Sequence, residues 1–440
     1  MESQRFKKIM GLSLPIMGGM VSQNVTNLVD IFFVKNLGSA ALAAVGLGGF
    51  AAFVSISLVL GVSTGVQAIA ARRKGEGEFT KLAQPLNTGL LIALVSGIAL
   101  AVPLFILVPH FYPYLNSDPE VIDLGSSYLQ IRLLGIVFVG LNFSFRGYWN
   151  GINLSKLYMG TLVFMHLINI FLNYALIFGN FGFPQLGLDG AAWGTSISFA
   201  CGTLVYLSLG MRHARHAGFL RIWPSWDQIK QMLTLSLPSG VQQLFFSSGL
   251  LAFFWIVGLV GTTELAAANI LTNVMLVAIL PAMGLGLAAA SLVGQALGRQ
   301  DAEDARLWAW DVVKVGILII GTIGLPMWAV PDWVLLPFAP GPEAMAASRL
   351  PLRITGAYIA LDSVGLVLMN ALLGAGASKQ VMAVSLSLQW ILFLPLALLA
   401  VSLLGAGFTT LWVMQGTYRL FQAIVFIVIW ERGSWASIKL

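Results

Sequence analysis

Twelve stretches of this chain are each long and apolar enough to cross a bilayer, and that leaves few folds open to it. Between charged and Gly/Pro-rich breaks they run over about 9–34, 41–71, 82–110, 121–150, 157–179, 187–211, 229–259, 264–298, 302–331, 344–374, 379–405 and 407–431. In hydrocarbon every backbone polar group must be satisfied inside the spanning segment, so these runs read as helices. Only 10% of the residues are charged and 58% are hydrophobic, which excludes a soluble globular domain. The first run follows Arg5, Lys7 and Lys8 as a secretory signal would, but it is too long for one and no small-residue cleavage pattern ends it. It is read as a retained first helix.

Sidedness follows from Lys and Arg, which stay cytoplasmic. Eighteen fall in the N-terminus, alternate loops and the tail, including Arg72-Arg73-Lys74 and the linker Arg212 to Lys230; four (Lys35, Arg132, Arg349, Arg353) fall on the other side. Both termini are therefore expected in the cytoplasm. The net charge of +6 then has its cause in loop sidedness and implies no nucleic acid. The single cysteine, Cys201, lies in an apolar run and excludes a disulfide framework or a Cys-rich metal site. No phosphate loop and no H-E-x-x-H motif is present. The reading is a protein that is not an enzyme, has no metal or cofactor, and draws energy from an ion gradient.

The two halves of the chain repeat each other at an offset of 223. Leu12-Ser13-Leu14-Pro15 returns as Leu235-Ser236-Leu237-Pro238, Leu42-Ala43-Ala44 as Leu265-Ala266-Ala267, and Gly38, Gly61 and Gly75 meet Gly261, Gly284 and Gly298. Six runs precede the hydrophilic linker and six follow, so equivalent helices point the same way, a parallel duplication typical of transporters. The expected architecture is an all-α integral membrane protein with 12 transmembrane helices in two pseudo-symmetric six-helix lobes. These are 1–211 and 229–440, joined by a cytoplasmic linker at 212–228.

Polar residues inside the runs mark a candidate site. Asp30 lies in the first run, where a carboxylate is costly unless it faces protein, water or a ligand. At helical spacing Gln23, Thr26/Asn27 and Asp30 form one polar stripe. Asp30 is either an acid satisfied by neighbouring amides or the titrating group of a cation-coupled transporter. Its repeat equivalent is Phe253, so the acid answers no need common to both halves. His166, Asn169 and Asn173 make a row on the fifth run, Asn142, Arg146 and Asn150 a second on the fourth, and Thr195 lies on the sixth. Each amide taken singly can be interhelical glue, worth about 0.6 kcal/mol. Taken with Asp30 they suggest a pocket, with Gln23, Asn27, Asn142, Asn150, His166 and Thr195 as its lining. Asp362, on the tenth run, is a secondary cation candidate, while Lys314 and Arg419 can snorkel or pair with acids. Pro15 and Pro238, just inside the first and seventh runs, permit bends.

The duplication, the stretch Asn27-Leu28-Val29-Asp30 through Gly38 to Ala41-Leu42-Ala43-Ala44-Val45-Gly46, and Asn169-x-x-x-Asn173-Tyr174 before Ile177-Phe178-Gly179 resemble the MATE family, in particular its bacterial branch related to the DNA-damage-inducible protein F. The resemblance covers the whole chain. It implies export of small drug-like organic cations and amphipathic compounds by proton or sodium antiport, from a multi-pass monomer in the bacterial cytoplasmic membrane. It places the family's first-helix acid on Asp30, its hinge proline on Pro15, and its fifth-helix amide and acid on Asn169 and Asn173. The second of these is Asn here, which shifts weight from sodium to a proton on Asp30. A tenth-helix acid of another branch would fall on Asp362, but its seventh-helix companion is missing from Ile229 to Val260. The rival reading within the superfamily is a lipid-linked precursor flippase, for which Arg146 and Arg419 would be the cavity cations.

Overall fold

A computed structural model describes residues 3–338 and 341–440, and the chain forms two compact units. One consists of Gly18–Val241, the other of Met1–Met17 together with Gln242–Leu440. Helices account for nearly all of both. In chain order they are α1 (Ser3–Lys35), α2 (Ser39–Glu76), α3 (Gln84–Phe111), α4 (Pro119–Leu134), α5 (Ile136–Gly151), α6 (Ser155–Phe178), α7 (Leu188–His213) and α8 (Trp226–Gly258). There follow α9 (Thr262–Gly298), α10 (Ala302–Ala329), the short α11 (Pro331–Leu335), α12 (Pro342–Ala375), α13 (Ser378–Leu386), α14 (Leu394–Leu404) and α15 (Phe408–Arg432).

Among the described residues ten helices are long and apolar enough to span a membrane, and the bent pair α4–α5 makes an eleventh span. The twelfth expected span, α1, is 33 residues long but carries Gln23, Asn24, Thr26, Asn27 and Asp30 through its C-terminal half, which lowers its hydropathy.

The single helix expected over 121–150 is two helices meeting at 45°. At the break the Gly135 amide donates to the Arg132 carbonyl instead of the one before it, and the Ile131 carbonyl so released accepts from the Ser196 hydroxyl at 3.2 Å. Glycine supplies the weak point and a neighbouring hydroxyl takes the freed acceptor. The run expected over 379–405 also departs from a uniform helix. Residues Ser387–Phe393 form a π-helical segment ahead of Pro395, which has no N–H to give to the preceding turn. The tight break after it is real: α14 ends at Leu404, with Gly405 in the left-handed region at φ 60°.

The unit boundaries do not fall at the linker. Residues 3–17, the start of α1, pack with the second half of the chain, and the start of α8 up to Val241 packs with the first. Small residues show how. A side chain at Gly61 of α2 would overlap the Ser236 carbonyl and come within 2.8 Å of the Gly240 backbone, so α2 and α8 touch backbone to backbone. The repeat-equivalent position, Gly284 of α9, sits in the same way on Met17 of α1, where a side chain would come within 3.2 Å of the Met17 nitrogen. Gly61 matches Gly284 and Met17 matches Gly240 at the offset of 223. Each helix leaves its first packing environment just after a proline: Pro15 lies two residues before the boundary at Met17, and Pro238 three before that at Val241.

Within the second unit α12 is central, packed against α9, α10 and α15. The start of α1 is tied there by Arg5, which donates to Asp304 at 2.7 Å and to Asp311 at 2.6 Å and lies 3.8 Å over the Trp308 ring. Asp311 also meets Lys314 at 3.3 Å, the i,i+3 pair its spacing suggests.

Candidate ion-binding site

Nine of the residues singled out from the sequence lie in the unit Gly18–Val241, and seven of them join hydrogen-bonded groups along α1, α6 and α7. Toward the C-terminal ends of α1 and α6 the Asn173 amide donates to the Asp30 carboxylate at 2.7 Å and approaches the Asn169 side-chain carbonyl oxygen at 3.5 Å. The Asn169 amide in turn donates to the Thr195 hydroxyl at 3.2 Å. Toward the N-terminal ends of α1 and α6 the His166 ring meets the Ser22 hydroxyl through Nδ1 at 2.9 Å and the Gln23 side-chain carbonyl oxygen through Nε2 at 3.2 Å. The Gln23 amide reaches the exposed Asn27 at 3.3 Å. The paired positions rise together on both helices, so α1 and α6 run parallel and hold their polar faces together over two turns.

Asn173 is fully buried, and its carbonyl oxygen has no partner. That oxygen occupies space left open by α7: a side chain at Gly194 would overlap it. Gly194 thereby sets how closely α7 approaches α6 and where the Asn173 amide points. Sequence reading missed Gly194, because a helical glycine carries no local signature of what lies opposite it. It also missed Ser22, whose position next to Gln23 on the polar stripe was the available signal.

The remaining candidates are placed differently. Asn142 is buried and spends its amide within the packing, donating to the Phe199 carbonyl at 3.0 Å and accepting from Thr203 at 2.9 Å. Asn150 is wholly enclosed, with both amide atoms unpartnered. Pro15 is buried inside a continuous α1. Asp362 belongs to the other unit, where its carboxylate takes the Arg419 guanidinium at 2.8 Å, both largely buried. That pairing fills the Asp362 carboxylate with a protein cation. Phe253, which stands where the repeat would put a second Asp30, packs among Phe393 and Trp412 with ring centroids 5.5 and 6.3 Å away. The acid has no structural counterpart.

By its long apolar helices and its duplicated plan this is a multi-pass, all-helical membrane protein. The MatE family profile matches it twice, over residues 15–175 and 238–399, the two starts separated by the offset of the internal repeat. The chain belongs to the MatE family, whose members are membrane transporters and not enzymes. It is 26% identical over 440 residues to a probable multidrug resistance protein NorM of Thermotoga maritima, covering 98% of this chain and 93% of that protein. It is 25% identical to a probable multidrug resistance protein YpnP of Bacillus subtilis, covering 99% and 96%. Its fold is that of a multidrug resistance MATE family transporter of the MOP superfamily solved in an outward-facing conformation, with a TM-score of 0.90 at 21% identity over 99% of this chain and 97% of that one. A MOP superfamily transporter from Pyrococcus furiosus superposes with a TM-score of 0.89 at 21% identity, over 99% of this chain and 97% of that one. These neighbours have twelve transmembrane helices in two lobes, the architecture expected from the sequence.

Proposed function

We propose that this chain exports small organic cations and amphipathic compounds in exchange for protons, with Asp30 as the proton carrier. The reading rests on one contrast. Of the two acids deep in its spans, Asp362 is held by Arg419 at 2.8 Å, whereas Asp30 has no Lys or Arg nitrogen within 4.0 Å among the described residues and is held by the Asn173 amide alone. A carboxylate held by an amide dipole, with Arg132 acting on it from beyond ion-pair distance, can take up a proton without breaking an ion pair. It can equally accept the positive charge of a substrate. Proton and cationic substrate then compete for one group, which is the linkage an exchanger needs.

Asp30 is the one carboxylate of its cluster, since Asn169, Asn173 and Thr195 are neutral, and a single acid suits a proton better than a dehydrated sodium ion. Protonation removes the cost of enclosing the charge, so the outer half of α1 can repack, with Pro15 absorbing the bend. The names of the relatives, multidrug resistance proteins, point to drug-like substrates. The Lys and Arg pattern supports both termini in the cytoplasm, and the bacterial relatives support placement in the cytoplasmic membrane.

Purified protein in liposomes tests this. Dye movement should follow an imposed pH gradient, persist without sodium, and vanish in Asp30→Asn. Wild-type rates in Asp30→Asn, or transport that needs sodium and ignores pH, would overturn the assignment.

A further inference from the structure

The turn that follows α7 is held more firmly than a connecting loop requires. The buried Asn87 side chain of α3 donates to the Gly218 carbonyl at 2.9 Å and to the Ile222 carbonyl at 3.0 Å, and its oxygen accepts from the Leu220 amide at 3.0 Å. The Ala83 amide adds a bond to the Ala217 carbonyl at 3.0 Å. Phe219 turns inward, fully buried, with its ring 5.8 Å from that of Phe145 on α5. Leu220 is thereby kept in the left-handed region at φ 52°, which a leucine adopts only when its surroundings impose it.

The turn so fixed forms one wall of a half-open cavity of about 320 Å³, a size typical of ligand sites. Helices α3 and α7 both pack on α5, and the cavity lies between them. Leu90, Leu91 and Leu94 of α3, on one helical face, line it together with Leu141 of α5 and Leu207 of α7. The polar side chains at its walls are already paired: Asn87 with the turn, and Thr203 with the Asn142 side-chain oxygen at 2.9 Å and the Phe199 carbonyl at 3.0 Å. Walls of this kind favour hydrocarbon over ordered water. The turn also brings Arg221 and Trp223 to the cavity. Arg221 is exposed, and no carboxylate lies within 4.0 Å of it among the described residues. Residues 212–226 hold three arginines and no acid. Leu220 and Trp223 are 57% and 84% exposed, apolar surface left uncovered beside the opening. No residue of α1 or α6 lines the cavity, so it is separate from the group around Asp30.

We propose that this cavity seats an anionic phospholipid of the surrounding bilayer. One acyl chain lies among the leucines, the phosphate meets Arg221, and Trp223 sits at headgroup level. The complementarity selects this occupant: leucine walls need a hydrocarbon chain, which a free phosphate lacks, and an acid-free turn with three arginines needs net negative charge, which a zwitterionic lipid lacks. Such binding needs neither an ion gradient nor a transported compound, so its failure is separable from a failure of proton exchange.

The test is native mass spectrometry of the purified full-length chain, titrated in detergent with phosphatidylglycerol or phosphatidylcholine of identical acyl chains. Wild type should retain one phosphatidylglycerol about fivefold more tightly than phosphatidylcholine, the worth of one surface cation facing an anionic lipid. Arg221→Gln should lose that preference, with phosphatidylcholine changing less than about twofold. Leu141→Trp, which fills the cavity from α5, should weaken both lipids at least about tenfold, since several methylenes lose their seat. Thermal unfolding reports whether each variant is folded, and Arg221→Gln, at an exposed position, decides the headgroup contact by itself. The proposal fails if Arg221→Gln keeps the wild-type preference, if folded Leu141→Trp binds both lipids as wild type does, or if inorganic phosphate alone displaces the lipid.

Discussion

Asp30 and Asn173 stand 2.7 Å apart on two parallel helices, with no positive side chain within 4.0 Å of the acid among the described residues. That arrangement singles out Asp30 from Asp362, which also lies within a span but is paired with Arg419 at 2.8 Å.

Asp30→Asn should therefore separate function from folding. The amide keeps an acceptor for Asn173 and breaks no ion pair, so stability in detergent should stay within about 1 kcal/mol of wild type. Exchange driven by a pH gradient should fall to background. Thermal unfolding and dye efflux, measured on the same preparation, check both parts.

Asp362→Asn should do the reverse. It leaves Arg419 buried and unpaired, at a cost of about 3–5 kcal/mol. A double variant, Asp362→Leu with Arg419→Met, removes both charges and should recover most of that loss. Unfolding midpoints of the single and double variants decide it; equal destabilisation in both would mean the pair is not what holds α12 to α15.

Gly194→Ala should silence transport by displacing the amide that bonds Asp30, while leaving Asp30 and Asn173 themselves unchanged. The new methyl would overlap the Asn173 carbonyl oxygen, so α6 and α7 must part or the amide must turn away from Asp30. Transport should drop at least about tenfold, as expected when a positioned hydrogen bond is lost. Normal rates in Gly194→Ala would show that the Asn173 contact is dispensable.

Gly61→Ala should destabilise more than Gly284→Ala, although the two positions are equivalent in the repeat. The first methyl would meet backbone, the Ser236 carbonyl and Gly240, which cannot yield; the second chiefly meets the flexible Met17 side chain. A cost of about 1–3 kcal/mol is expected for Gly61→Ala and less for Gly284→Ala, read from thermal unfolding.

Much of the architecture is legible in the chain for a definite reason. Apolar length and Lys/Arg placement are local, so the spans and their order can be read directly. The row Gln23–Asp30 on α1 and the row His166, Asn169, Asn173 on α6 are visible because helical periodicity lines up residues three and four apart. The partners are not visible in this way. Nothing local says that Arg419 and Asp362, 57 positions apart, will meet, that Asn142 will spend itself on the Phe199 carbonyl, or that Gly194 faces Asn173. The bend at Gly135 and the π-helical segment before Pro395 likewise depend on which hydroxyl or side chain arrives from another helix.

The exchange of opening segments bears on how the molecule is made. Residues 3–17 precede the rest of their unit, which begins at Gln242, by more than two hundred positions, and so are synthesised well before it. Translation at about 5–20 residues per second means that this segment waits roughly ten seconds or more for its partners in the unit. Through that interval Arg5, whose acceptors Asp304 and Asp311 do not yet exist, has only water and lipid headgroups to bind.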